Sequence, residues 1–220
     1  MLDVAEHMVL GIEPIDSGLF FLTLERDGME FDAGDCVALY TDAGTSRPYS
    51  IASGANSSTL RFLIREMDGG EVSPWLARRR QGDRIGVSPP FGWFRPGQHA
   101  EGGPSVFIAT GTGIAPFLAY RETFPQRPPE ALLFGARTIK GAAGSGSFAD
   151  WCPLRLALSR EPHPAGHHGR VTDLLEELVM PPDTHYYLCG LESMIRDAGN
   201  RLQERGVDLL HIHREVFFHG

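Results

Sequence analysis

The hydrophobic pattern changes near residue 100, and this change constrains the fold more than any other feature of the sequence. Before it, short apolar runs at 19–24, 37–40 and 60–64 are separated by turn sequences that contain glycine and aspartate. Regularly spaced short strands of this kind are typical of an antiparallel sheet or barrel. After it, apolar runs alternate with segments of helical length, which predicts a parallel sheet with helices on both faces.

The same change predicts two domains, residues 1–98 and residues 99–220. The first is predicted to be antiparallel β-structure with one short helix, capped by Ser73 and carrying Pro74 in its first turn. The second is predicted to be an α/β domain with a five-stranded parallel sheet. Its strands are predicted at 106–109, 131–134, 154–158, 185–188 and 209–212. Its clearest helix has apolar residues at helical spacing at Leu191, Met194, Ile195, Ala198 and Leu202.

Composition narrows the class of protein. The 220 residues are 42% hydrophobic and 22% charged, which is enough for a hydrophobic core without disulfides or metals. The net charge of −8 argues against a nucleic-acid-binding protein. The uncharged stretch 102–120 is interrupted by prolines and glycines, which disfavours a membrane helix. Three scattered cysteines favour a reducing compartment. We expect a cytoplasmic monomer with no nucleic-acid or membrane partner.

Two candidate anion-binding segments lie in the first half. In the segment 47–50, Arg47 and Tyr49 fall on one face of a strand and Ser50 falls on the other. Arg47 offers a forked donor to a phosphate and Tyr49 offers a flat ring for stacking, although an ordinary edge strand has the same pattern. The segment 69–74 places two glycines before a helix, which is typical either of an anion site or of a plain capped helix.

The second half contributes three further segments. The segment 110–116 follows the first predicted parallel strand, and its glycines would let a diphosphate approach the backbone at the strand's carboxyl end. A tight strand–helix turn is the alternative, because the segment lacks the GxGxxG spacing. Cys189 and Gly190 end a later strand, and the segment 214–217, which contains Glu215, lies near the C-terminus. A lone buried cysteine is usually a core residue and a lone glutamate near a terminus is usually solvated, so neither segment indicates a role by itself.

Together and in this order, the five segments resemble the ferredoxin–NADP+ reductase family of flavoproteins over nearly the whole chain. The resemblance implies an N-terminal Greek-key β-barrel that binds FAD and a C-terminal α/β domain that binds NADP(H). The residues implied at the FAD site are Arg47, Pro48, Tyr49, Ser50, Leu63, Ile64, Arg65, Gly70, Glu71, Val72, Ser73, Thr112 and Phe217. Those implied at the NADP(H) site are Gly111, Thr112, Gly113, Pro116, Arg137, Ser159, Arg160, Arg170, Cys189 and Gly190.

The resemblance also implies four catalytic residues. Ser50 would hydrogen-bond near flavin N5, and Cys189 would lie beside the nicotinamide. Glu215 would orient groups at the site of hydride transfer. Phe217 matches the family's terminal aromatic residue, which covers the flavin.

The arginines beyond the central strands bear on the choice of nicotinamide cofactor. Arg137, Arg160 and Arg170 resemble the family's contacts to the 2′-phosphate, a group that arginine recognises well, and they favour NADPH. Each is alternatively a solvated surface charge. His163, His167 and His168 fit a proline-containing loop better than a metal site, and we predict no metal.

The family implies a separate electron carrier, ferredoxin or flavodoxin, as partner. A basic group on the first domain could dock such an acidic carrier, or it could be a solvated helix face. This group consists of Arg78, Arg79, Arg80 and Arg84. Two related alternatives are a reductase component that serves an oxygenase or its ferredoxin, and an NAD(P)H:flavin or quinone reductase. A third alternative is a non-catalytic flavin-binding subunit that has lost nicotinamide binding.

Overall fold

The computed structural model describes residues 4–98, 103–162 and 166–216, which form two compact units. The first unit comprises the described residues up to Trp93 together with Ala115–Thr123. The second comprises the described residues in Phe94–Ile114 and from Phe124 onward. The helix Ala115–Thr123 therefore packs with the first unit although it follows the first strand of the second. The predicted boundary at 98/99 separates the chain at a similar position and stays a prediction.

The first unit is an antiparallel sheet of six strands in the order β4-β3-β6-β1-β2-β5. The strands are β1 (Ala5–Asp16), β2 (Leu19–Glu25), β3 (Cys36–Tyr40), β4 (Ser46–Ser50), β5 (Thr59–Arg65) and β6 (Arg84–Val87). Its helices are α1 (Val72–Ala77) and α2 (Ala115–Thr123).

The sheet closes on itself because the residues after β4 bond to the far edge strand, β5. The N–H of Ala52 donates to the carbonyl of Arg61 at 2.7 Å. The Ser53 hydroxyl donates to the carbonyl of Thr59 at 2.9 Å and accepts the N–H of Arg61 at 3.1 Å. These bonds close the sheet and confirm the predicted antiparallel barrel, while β4 itself pairs only with β3 among the described strands.

Apolar side chains at alternating positions of the strands form the barrel core. Every second residue of β2 and β5 is buried, because successive side chains of a strand point to opposite faces. These core residues are Phe20, Leu22, Leu24, Leu60, Phe62 and Ile64.

The short helix differs from the prediction at its start. It begins at Val72, and the Ser73 hydroxyl accepts the N–H of Met67 at 3.0 Å. Ser73 therefore holds the preceding turn rather than capping the helix. The capping pattern was misleading because the turn from β5 brings another donor to the same hydroxyl.

The second unit has a parallel sheet in the order β10-β9-β8-β7-β11-β12. The strands are β7 (Ser105–Thr110), β8 (Ala131–Ala136), β9 (Leu154–Leu158), β10 (His167–His168), β11 (His185–Gly190) and β12 (Ile212–Val216). Helix α3 (Glu192–Glu204) carries the predicted apolar face and buries Met194, Ile195, Ala198 and Leu202.

Two strand predictions need correction. The sheet has six strands rather than five, because β10 has only two residues and leaves no hydrophobic run in the sequence. The last strand begins at Ile212, three residues later than predicted. Leu209 and Leu210 are 59% and 79% exposed and lie in a 3-10 turn. The Asp208 carboxylate accepts the N–H of Leu210 at 2.9 Å, and this bond favours a turn over a strand.

The strand order contains one reversal. The chain adds β8, β9 and β10 on one side of β7 and then crosses to its other side for β11 and β12. Open α/β sheets bind ligands beyond the carboxyl ends of the strands at such a switch point, which here lies between β7 and β11.

A helix that spans a membrane must be both long and hydrophobic. Within the described residues, none of the helices is both.

We expect Ser53→Ala to lower the free energy of unfolding of the barrel by about 1–3 kcal/mol, because the N–H of Arg61 on β5 loses its acceptor, the buried hydroxyl of Ser53. Urea denaturation measures this change. The matched control is Ser58→Ala, at an exposed position of the same loop, which should leave stability within about 0.5 kcal/mol. Equal stability of the two variants would contradict the closing role of Ser53.

Candidate functional site

The edge strand β4 carries the first candidate segment. Arg47 is exposed and its Nη1 donates to the carbonyl of Ser46 at 2.9 Å. Pro48 is also exposed, which suits an edge strand that needs no further donor. Tyr49 packs against the barrel core, and its burial raises the pKa of the phenol to about 12 despite the opposing charge of Arg47. The Tyr49 hydroxyl is therefore protonated at neutral pH.

Ser50 has a partner that the sequence did not reveal. Its Oγ lies 3.3 Å from Sγ of Cys36, which is directly opposite it in the β3–β4 register. Both residues are 4% exposed. No short motif links Cys36 to Ser50, because the two residues lie on different strands. Only the pairing register of β3 and β4, counted from their connecting turn, could have placed them opposite each other.

The turn into α1 lies close to the β4 segment. The Thr45 hydroxyl donates to Oε1 of Glu71 at 2.6 Å, and this bond joins the residue before β4 to the residue before α1. Gly70 is tightly placed, since a Cβ there would lie 3.0 Å from the carbonyl oxygen of Met67. Val72 belongs to the barrel core, so its side chain is committed to packing. The structure thus brings together the predicted segments 47–50 and 70–73.

The end of β5 supplies the remaining predicted residues of the first unit. Leu63 and Ile64 are buried, and the Ile64 side chain belongs to the barrel core. Nη1 of Arg65 donates to the carbonyl of Ser17 at 2.7 Å, across the start of β2.

The two glycines after β7 have different surroundings. A Cβ on Gly113 would lie 2.3 Å from the carbonyl oxygen of Cys189, so only glycine fits against the end of β11. Gly111 has a φ of +54°, and nothing lies within 4 Å of where its Cβ would be. Close approach of a ligand to the backbone therefore suits Gly111. The prediction assigned this function to both glycines, but Gly113 also packs two strand ends together.

Thr110 completes the contact between these strand ends. Its Oγ1 accepts the N–H of Leu191 at 3.1 Å. A Cβ on Gly190, whose φ is +133°, would lie 2.4 Å from the same oxygen. Thr110 was not predicted as a site residue, although its place directly before the glycine segment was a usable signal.

Cys189 and Glu215 are neighbours across the β11–β12 register. Cys189 is fully buried, and Glu215 is half-buried. Thr112 lies half-buried in the 3-10 turn Gly111–Ile114, and Pro116 follows in the first turn of α2. Phe217 lies outside the described residues.

The arginines implied at the 2′-phosphate follow the three strands on the other side of β7. Arg137 follows β8, Arg160 follows β9 and Arg170 follows β10, and all three are exposed. The N–H of Arg160 donates to the carbonyl of Arg137 at 2.9 Å. Ser159 bonds through its N–H to the carbonyl of Ala136 at 3.0 Å. Because the strands are parallel, these residues share one edge of the sheet.

Each unit carries groups that suit one dinucleotide. On the first unit, an exposed guanidinium at Arg47 is next to a neutral, half-buried ring at Tyr49, which suits a diphosphate and a flat ring system. On the second unit, the open backbone at Gly111 lies at the sheet's switch point, where α/β sheets take nucleotides. Among the residues that the structure describes, no three His, Cys, Asp or Glu side chains are placed to hold a metal ion.

Family models match both units. The oxidoreductase FAD-binding domain matches residues 15–95, and the oxidoreductase NAD-binding domain matches residues 107–200.

Two kinds of reductase are similar in sequence to this chain. The chain is 31% identical to ferredoxin–NADP reductase B of Sorangium cellulosum, over 96% of this chain and 97% of that protein. It is also 31% identical to the reductase subunit of an aromatic O-demethylase of Amycolatopsis, over 86% of this chain. The chain spans only 61% of the length of that second relative.

A solved structure shows the same fold. The ferredoxin NADP+ reductase of Neisseria gonorrhoeae, determined with bound FAD and NADP, superposes with a TM-score of 0.87 at 23% identity. The match covers 99% of this chain and 100% of that chain.

We expect Gly113→Ala to destabilise the second unit by about 1–3 kcal/mol or more, because the added methyl group would force the 3-10 turn after β7 away from the end of β11. Thermal unfolding measures the change. The control is Gly146→Ala, where nothing lies within 4 Å of the new Cβ, and its effect should stay within about 0.5 kcal/mol. A Gly113→Ala protein as stable as the control would show that the strand ends are not tightly packed.

Proposed function

Because the chain belongs to the ferredoxin–NADP reductase family, we propose that this oxidoreductase uses FAD to exchange electrons between NADPH and a separate one-electron carrier, ferredoxin or flavodoxin. The observation that carries the proposal is the switch point of the parallel sheet. There an open glycine backbone after β7 adjoins Cys189 and Glu215 on the next two strands. Similarity over 97% of a ferredoxin–NADP reductase supports the choice of partner.

On the first unit, the proposed work of the side chains is binding and orientation. Arg47 binds the FAD diphosphate from an exposed edge strand, and the turn at Gly70 approaches it from the α1 side. Tyr49 stacks on the ring system with a neutral phenol, and Ser50 holds a hydrogen bond near flavin N5. When bound, FAD supplies the conversion between two-electron hydride chemistry and one-electron transfer.

On the second unit, the proposed work is to position the nicotinamide. The backbone at Gly111 binds the NADPH diphosphate, and Cys189 and Gly190 form a close-packed surface for the nicotinamide ring. Glu215 orients polar groups at the reacting carbon. Thr112 and Phe217 remain proposed contacts to the flavin on the family resemblance alone. Hydride transfer requires close stacking of the two rings, so orientation is the main contribution of these residues.

The nicotinamide preference follows from the three exposed arginines. Arg137, Arg160 and Arg170 would bind the 2′-phosphate that distinguishes NADPH from NADH, and Ser159 would add a hydroxyl. Guanidinium groups make charge-assisted, often bidentate bonds to phosphate.

Docking of the carrier is proposed at the basic group that follows α1. Arg78, Arg80 and Arg84 are exposed. Arg79 lies over the ring of Trp75 at 4.0 Å and is half-buried. An acidic carrier would be attracted to these charges.

A second candidate is the reductase component of an oxygenase system. The 31% identity to the reductase subunit of an aromatic O-demethylase favours it. Such a function would keep the FAD and nicotinamide residues and change the acceptor. A flavin or quinone reductase differs only in having a small, free acceptor.

Anaerobic mixing with NADPH or NADH tests the proposal through the visible absorption of the flavin. Faster bleaching by NADPH is expected. Faster bleaching by NADH would favour the oxygenase-type reductase. A yellow protein that neither cofactor bleaches would overturn the enzyme assignment and indicate a flavin-binding subunit. Turnover with ferredoxin, flavodoxin, free flavin and quinone then separates the acceptors.

The double variant Arg160→Ala/Arg170→Ala should lose most of its preference for NADPH over NADH. Each lost charge-assisted bond to phosphate contributes about 1.5–3 kcal/mol, which corresponds to roughly ten-fold or more in kcat/KM for NADPH. The rate with NADH should change little. The control is Arg196→Ala, an exposed arginine on α3 paired with Asp197 at 3.5 Å. A preference unchanged in the double variant would exclude these arginines from phosphate recognition.

A further inference from the structure

Asp173 lies three residues after Arg170 and makes contacts that the proposed function does not use. Its Oδ2 accepts the N–H of Arg170 at 2.9 Å and lies 3.0 Å from Nε2 of His167. Its Oδ1 lies 3.8 Å from Nη2 of Arg201 on α3. One carboxylate thus joins the end of β10, the turn after it and a helix on the face of the sheet.

Gly169 shows how closely this carboxylate approaches the turn. A Cβ on Gly169 would lie 2.4 Å from Nε2 of His167 and 2.8 Å from Oδ2 of Asp173. The contact between His167 and Asp173 therefore passes directly over the peptide that leads into Arg170. The preceding peptide is also bonded, because the N–H of Gly169 donates to the carbonyl of Leu158 at 3.0 Å. The peptides before and after Gly169 are therefore both held by hydrogen bonds.

Arg201 ties the same turn to α3. Its Nη1 donates to the carbonyl of Thr172 at 3.1 Å and to Oε1 of Glu176 at 3.0 Å. Burial by itself raises the pKa of Asp173. The hydrogen bonds from the Arg170 N–H and from His167, with the charges of His167 and Arg201, outweigh that effect and lower the pKa below its usual value. Asp173 is therefore ionised at neutral pH and attracts each of its partners.

We propose that Asp173, together with His167, is a positioning residue for recognition of the 2′-phosphate, because it fixes the turn that carries Arg170. This inference rests on the proposed function, in which Arg170 binds that phosphate. A fixed turn presents the guanidinium without the entropy loss of ordering a flexible loop on binding. Asp173 and His167 act through Arg170 and need no contact with the nucleotide.

A purely structural role predicts something different. If Asp173 only stabilised the fold, its removal would lower the melting temperature and weaken binding of all adenine nucleotides alike. A positioning role affects the ligand that carries the 2′-phosphate more than the ligand that lacks it. The measured quantity is therefore the ratio of the AMP and 2′-phospho-AMP dissociation constants.

The experiment is calorimetric titration of the FAD-loaded protein with 2′-phospho-AMP and with AMP. The wild-type protein should bind 2′-phospho-AMP more tightly, and Asp173→Ala should reduce this ratio by about 3- to 10-fold. Equal wild-type affinities would overturn the proposed NADPH preference and this inference with it. A wild-type preference that Asp173→Ala leaves intact would overturn the inference alone.

A double-variant cycle separates positioning from an independent contribution. In the Arg170→Ala background, Asp173→Ala should change the ratio no further, because its effect acts through the missing side chain. A full additional loss would overturn the inference. Glu176→Gln is the matched control, since it removes the charge of another partner of Arg201, 3.0 Å away, and leaves both contacts of Asp173 Oδ2 in place. It should leave the ratio unchanged.

Two milder variants keep the test valid if Asp173→Ala does not fold. Asp173→Asn retains an oxygen that accepts the N–H of Arg170 and should recover most of the ratio. His167→Ala removes the contact between His167 and Asp173 but keeps the hydrogen bond from the N–H of Arg170 to Asp173. It should reduce the ratio of dissociation constants by about 2- to 3-fold. An unchanged ratio in His167→Ala would contradict the part assigned to His167.

Discussion

The second unit depends on direct backbone packing between the ends of β7 and β11. Gly113 lies so close to the carbonyl of Cys189 that no side chain fits, and Thr110 accepts the N–H of Leu191 from the same strand end. Neighbouring parallel strands often diverge where the chain reverses its order, because their loops leave in opposite directions. Here these contacts hold the strand ends together. Close packing of this kind restricts how far the residues at the reversal can move.

The sequence predicted what depends on local periodicity. Alternating apolar residues in β2 and β5 gave the barrel, and the helical spacing of Met194, Ile195 and Ala198 gave α3. It missed what depends on a distant partner. Ser73 looks like a helix cap until the N–H of Met67 is brought to it, and β10 is too short to produce a pattern.

The candidate site was predictable to a similar extent. Its motif residues were predicted by family resemblance and stay a prediction. The structure places those of the first unit on β4, β5 and the turn into α1, and most of those of the second unit at one edge of the parallel sheet. The supporting residues were not found. Cys36 meets Ser50 through strand register, and Asp173 meets His167 through a turn, so neither pair is visible as a short motif. Motifs identify groups that contact a ligand, whereas tertiary structure identifies the groups that hold them.

The tight fit of Gly113 has a consequence for redesign of this protein. The carboxyl edge of the sheet is divided into a half where Gly113 and Gly190 leave no room for a side chain, beyond β7 and β11, and a half with exposed arginines, beyond β8, β9 and β10. Changes to the first half would alter backbone positions, and in the proposed function they would disturb the reacting groups together with binding. Changes to the exposed arginines of the second half would alter surface charge. If the proposed function holds, nicotinamide preference is adjustable separately from the chemistry, because the two are assigned to different strands of one sheet.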